Sequence, residues 1–171
     1  MTLIENPSQL PVAIWDALKR AFPQLQVGNH QDFADAGDHT SVLISVERNG
    51  PGVRSPEGRK AHVLSVSLRA TVASGAAPFD ACDLASQLMD LALDNRWGLP
   101  SGQCDLPTSI VAAPSGFSSA ETDYDTWVVS FTQTLYLGPS LLQDPTGTPL
   151  FARTWEVSDI DDPDQYRPLQ E

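Results

Sequence analysis

Ala61-His62-Val63-Leu64-Ser65-Val66-Ser67-Leu68-Arg69-Ala70-Thr71-Val72-Ala73-Ser74 is the stretch on which the fold turns. His62, Leu64, Val66, Leu68, Ala70 and Val72 share one parity, while Ser65, Ser67, Arg69 and Thr71 take the other. Side chains of a strand project alternately to its two sides, so this pattern predicts a strand with one face buried and one face wet, the mark of an antiparallel sheet. Residues 123–137 repeat it, with Trp127, Val129, Phe131, Leu135 and Leu137 set against Ser130, Thr132 and Thr134, ended by Gly138-Pro139. Strands of 14 or 15 residues reach ~45 to 50 Å, and strands that long often project beyond their own domain.

Outward from these two runs the periodicity changes. Leu10, Ile14, Leu18 and Phe22 recur at helical spacing after Ser8, a residue suited to capping, with Pro11 in the first turn and Asp16 one turn from Arg20; a helix is predicted over 9–21. Pro78 opens a second helix with Ala81, Leu84, Ala85, Leu88, Leu91 and Ala92 as its apolar stripe, Asp80, Asp83, Asp90 and Asp94 as its wet face, and Gly98 and Pro100 as its stop. Shorter strands are expected at Leu25 to Val27, at Val42, Ile44 and Val46, and at Ile110 to Ala113. Residues 48–60, with Asn49-Gly50-Pro51-Gly52 and a second Pro-x-Gly at Pro56 and Gly58, read as a long mobile connection between strands. This order predicts an α+β fold: a mixed or antiparallel twisted sheet with both helices packed on one face.

The last 33 residues differ in kind, with five prolines and seven acids against Arg153 and Arg167. They predict an extended acidic C-terminal arm, residues 139–171, after a single domain over 1–138. The formal net charge of −12 disfavours non-specific binding to nucleic acid or anionic membrane. Cys82 and Cys104 stand apart without metal-ligand spacing and read as reduced thiols. The N-terminus lacks a basic region followed by an apolar stretch, and no segment nears the ~20 apolar residues that span a bilayer, so a soluble product is expected.

Catalytic signals are few. His30, Asp32, Asp35, Asp38 and His39 gather imidazoles and carboxylates in one stretch, but without helical i, i+4 pairing of the histidines, so a solvated loop is expected rather than a metal centre. Nucleophile elbow, P-loop and dinucleotide fingerprint are all missing from the sequence, and His62 falls on an apolar strand face as a core or interface histidine. Acid pairs such as Glu121 with Asp123 and Asp161 with Asp162 read as solvated surface. The expected enzymatic activity is none, and no cofactor is expected.

Charge is distributed unevenly. Arg48, Arg54, Arg59 and Lys60 place four of the chain's ten cations in one connection, which has no aromatic residue to stack on bases. The arm carries Asp161 and Asp162 beside the aromatic anchors Phe151, Trp155 and Tyr166. A positive loop and a separate negative tail can join copies head to tail and close a ring, so these nine residues are the candidate interface.

The order of elements carries a resemblance. An amphipathic helix, a strand pair with a long connection, an Ala/Leu-rich helix ending in Asp94-Asn95-Arg96-Trp97-Gly98, and the strand Trp127-Val128-Val129-Ser130-Phe131-Thr132-Gln133-Thr134-Leu135-Tyr136-Leu137-Gly138 together resemble the tail terminator, or tail completion, proteins of long-tailed bacteriophages, including the Mu-like group, over residues 8–138. The resemblance implies a structural virion protein made in the host cytoplasm. It implies a hexameric ring at the head-proximal end of the tail tube that halts tube polymerisation. The implied partners are further copies of the chain, the tail tube protein, the head-tail connector or stopper protein and, in a contractile tail, the sheath. The arm after Gly138 departs from that pattern. Alternatives are another neck or tail component, such as a head-tail stopper or tube subunit, a small-molecule binding module with its pocket between sheet and helices, and a metal-dependent enzyme using the His30 to His39 cluster.

Overall fold

The computed structural model describes residues 3–28, 39–72, 80–115, 125–142, 150–152 and 162–168. The chain divides into two compact units, Met1–Leu141 and Leu142–Glu171. In the first, α1 (Gln9–Ala21), β1 (Gln26–Gly28), β2 (Ser41–Pro51), β3 (Lys60–Val72), α2 (Asp80–Ala92), β4 (Thr108–Pro114) and β5 (Asp125–Leu137) follow in order. The strands form one sheet in the order β1-β2-β3-β5-β4. β1 runs parallel to β2 and the other pairings are antiparallel, so the sheet is mixed and the fold is α+β.

β3 lies at the centre, between β2 and β5. It pairs with β5 residue by residue from Lys60 opposite Leu137 to Val72 opposite Asp125. The two long strands therefore cover each other along their whole length. Leu64, Val66, Leu68, Ala70 and Val72 are buried with Val42, Ile44, Val129, Phe131 and Leu135. Both helices close this face: Leu10, Ile14 and Leu18 of α1 and Ala81, Leu84, Ala85, Leu88 and Ala92 of α2 join the same core. Full burial of each leucine or isoleucine stabilises the fold by about 1.5–3 kcal/mol. The opposite face pairs Ser45 with Ser67, Ser67 with Ser130 and Ser65 with Thr132, so hydroxyls line it.

Element ends correct three expectations. Ser8 makes no side-chain cap to α1; instead Gln9 Oε1 accepts from Glu5 N (2.7 Å) and Asn6 N (3.0 Å) ahead of the helix. Arg20 Nε donates to the Asp16 carbonyl (3.2 Å) rather than to its carboxylate. α2 ends at Ala92, six residues before Gly98: Asp94 turns left-handed at φ 54°, and Asn95 Nδ2 donates to Leu91 O (2.9 Å), satisfying a terminal carbonyl.

The second unit holds β6 (Leu150–Ala152) paired antiparallel with β7 (Tyr166–Pro168) and a 3₁₀ turn over Pro163–Gln165. The expected arm therefore contains paired strands of its own.

Candidate functional site

The basic connection is built by strand pairing carried further than the Asn-Gly-Pro-Gly sequence suggests. β2 admits one extra residue at Glu47, a bulge between Val46 opposite Val66 and Arg48 opposite Ser65. Ser67 Oγ donates to Glu47 Oε1 at 2.6 Å, holding the bulge on the hydroxyl face. Beyond it the ladder continues to Pro51 opposite His62, and Gly52 N donates to Ala61 O at 3.1 Å. Asn49 and Gly50 are thus strand residues and not a turn. Gly52 is needed for close approach: a Cβ there would sit 2.9 Å from Val63 Cγ2 and 3.0 Å from Ala61 Cβ.

The reversal falls at Ser55 to Arg59. Ser55 N donates to Arg59 O (3.2 Å), Gly58 N to Ser55 O (2.8 Å) and Arg59 N to Ser55 Oγ (3.1 Å). Gly58 takes φ 81°, a left-handed value that glycine adopts at least cost. Arg54 Nη1 donates to Gly58 O (2.8 Å), so its guanidinium lies across the turn. A connection expected to be mobile is a hydrogen-bonded hairpin tip.

This geometry sorts the predicted cations. Arg54 and Lys60 line one open groove of about 460 Å³ with Asn49, Gly50, Pro51, Gly52, Ala61 and His62. His62 Nδ1 donates to Asn49 Oδ1 at 3.0 Å, which fixes the ring at the groove wall; it is half-buried and not a core residue. Arg48 is exposed and sits opposite Ser65 on the hydroxyl face. Arg59 is turned inward: Nε donates to Gly138 O (3.1 Å), Nη1 to Gly102 O (3.1 Å), and the guanidinium pairs with Glu57, leaving the side chain 14% exposed. It ties the hairpin to the end of β5 and serves the fold.

In the second unit, Asp162 Oδ1 accepts from Asp164 N (2.9 Å) to open the 3₁₀ turn, and Tyr166 begins β7 opposite Ala152. Phe151 has its backbone in β6 opposite Arg167. Trp155 and Asp161 lie outside the described residues.

No protein-family model and no curated protein sequence matches this chain.

A second groove, of about 560 Å³, is apolar and lies between α1 and the sheet edge, lined by Ser8, Pro11, Val12, Trp15, Gly28, Ile44 and Val46. Trp15 Nε1 donates to Val27 O (3.0 Å), which holds the indole against β1. Among the described residues no group of three or more His, Cys, Asp and Glu side chains could hold a metal ion. His39 is described and exposed; His30, Asp32, Asp35 and Asp38 lie outside the described residues. No described helix is long and apolar enough to cross a membrane.

Sequence reading missed a buried polar network. Gln133 stands on the apolar parity of β5 between Phe131 and Leu135 and is 1% exposed. Its Oε1 accepts from Trp97 Nε1 (2.8 Å), and its Nε2 donates to Asp105 O (2.8 Å) and faces Cys104 Sγ (3.1 Å). Gln103 does the same for the segment ahead of α1, exchanging bonds of 3.1 Å with the backbone of Ile4 and donating to Tyr136 O (2.9 Å). Burial, with a smaller contribution from the Asp105 charge, pushes the Cys104 thiol up to about 12, so it stays protonated and inert. Tyr136 donates to Asp105 Oδ2 (2.8 Å), which holds its hydroxyl above the ordinary value. The signal available was Gln133 itself, a polar residue in an apolar series. Such a residue is either an error of parity or a satisfied core amide.

Proposed function

We propose that this protein is a structural subunit that assembles with copies of itself, as a ring at the head-proximal end of a bacteriophage tail tube, where it stops tube growth and joins the tail to the head connector. The observation that carries the reading is the hairpin tip: a hydrogen-bonded turn beside a cation-lined groove on a chain of net charge −12. Copies of such a chain repel one another at long range, and a local patch of opposite sign offsets that repulsion on contact. The α+β fold with helices on one face fits the element order on which the resemblance to tail terminators rests.

Tube growth tests it. Tail tube protein of the same phage, polymerised with the chain, should give tubes of limited length bearing a ring at one end in electron micrographs. Tubes of unchanged length without a terminal ring would sink the proposal.

A second reading, a small-molecule binding module, is favoured by the apolar groove beside Trp15. It predicts a monomer whose melting temperature rises with an apolar ligand, by an amount set by ligand concentration over Kd.

A further inference from the structure

We infer that the groove of Arg54, Lys60 and His62 is a carboxylate-binding site whose occupant is the acidic C-terminal segment, residues 159–164, of a second copy of this chain. The inference rests on the assembly proposed above and names its contact.

Chemistry at the groove selects an anion. Arg54 offers five N–H donors, and the bond to Gly58 O uses one of them. Lys60 adds an exposed ammonium on the next strand. Glu57 is the sole carboxylate between Arg48 and Lys60, and it is drawn away to Arg59. An incoming carboxylate therefore meets two cations and a hydrogen-bonding imidazole, with no like charge from the turn itself. The groove, at about 460 Å³, holds several side chains and not a whole domain.

Charge complementarity identifies the occupant. Asp159-Ile160-Asp161-Asp162-Pro163-Asp164 sets four carboxylates in six residues, the densest acidic run of the chain. Among the described residues of this run, Asp162 Oδ1 accepts from Asp164 N at the start of the 3₁₀ turn, and the Asp164 side chain is exposed. Groove and segment are different surfaces of one chain, so the contact is heterologous, the kind that builds a ring when the rotation between successive copies closes.

A charge-swap experiment on the full chain reads the contact directly. Sedimentation velocity is run on the wild type, on Arg54→Glu/Lys60→Glu and on Asp161→Lys/Asp164→Lys, each alone and the two variants mixed in equal amounts. Each variant alone should need about tenfold more protein to assemble, because like charges then face each other. The mixture should regain wild-type assembly, since each variant's groove meets the other's segment with opposite sign. Arg54 and Lys60 are exposed, so their replacement leaves the fold intact, checked by circular dichroism. Variants that assemble like the wild type, or a mixture that fails to recover, would overturn the site while leaving assembly itself standing. A wild type that stays monomeric at every concentration would overturn both, and is seen without any variant.

Discussion

Arg59 and Arg54 are five residues apart and do opposite work. Arg59 donates to Gly138 O and Gly102 O across the fold, whereas Arg54, among the described residues, donates to Gly58 within its own turn. Arg59→Glu should therefore cost about 2–3 kcal/mol in urea unfolding, the value of charged hydrogen bonds lost in a partly buried place, while Arg54→Glu should stay within about 0.5 kcal/mol of wild type. Equal costs would contradict the division of labour. Gln133→Leu keeps the volume but orphans Trp97 Nε1 and Asp105 O, and should destabilise by about 2–4 kcal/mol in the same assay. Cys104 adds a pH dependence. Its thiol is raised from 9.0 to about 12 in the folded chain, so the unfolded chain loses its proton first as pH rises. The contribution is whole below pH 9 and is lost at roughly 1.4 kcal/mol per pH unit between 9 and about 12. Urea midpoints measured from pH 8 to 11 should fall, and less steeply in Cys104→Ala.

At the scale of elements, β3 and β5 pair along their full length, and truncation on their buried face removes core packing. Leu68 pairs with Ile44 on one side and Val129 on the other, and Leu68→Ala should cost about 3–4 kcal/mol by thermal or chemical unfolding. Those strands and both helices were legible in the sequence because burial on one face writes a period of 2 or of 3.6 directly into residue type. Element ends and the hairpin tip were not. Asn49-Gly50-Pro51-Gly52 has turn chemistry, yet β2 runs through Pro51 because each of these residues finds a partner on β3 and because Gly58 supplies the left-handed turn residue later. The bulge at Glu47 left no compositional trace. The candidate site was half legible: four cations close in sequence read as one patch, but strand alternation, the bulge and long-range bonds send Arg48 to the hydroxyl face and Arg59 inward, leaving Arg54 and Lys60 together. His62 joins them through register alone, opposite Pro51.

For the whole molecule, charge sets the terms. With net charge −12, copies repel at long range; contacts between exposed opposite charges offset this locally and are screened over about 10 Å at 0.1 M salt. Arg54→Glu/Lys60→Glu should accordingly weaken assembly more at 50 mM than at 500 mM salt, read by light scattering; equal effects at both would exclude an electrostatic contact. The apolar groove beside Trp15 belongs to the competing description of a monomeric binding module, and the two descriptions differ first in oligomeric state. Native mass of the purified chain across a concentration series separates them without knowledge of any ligand or phage. Assembly as a closed ring predicts a species at six times the chain's 18.5 kDa that grows in with concentration, whereas a mass of 18.5 kDa at every concentration would contradict it.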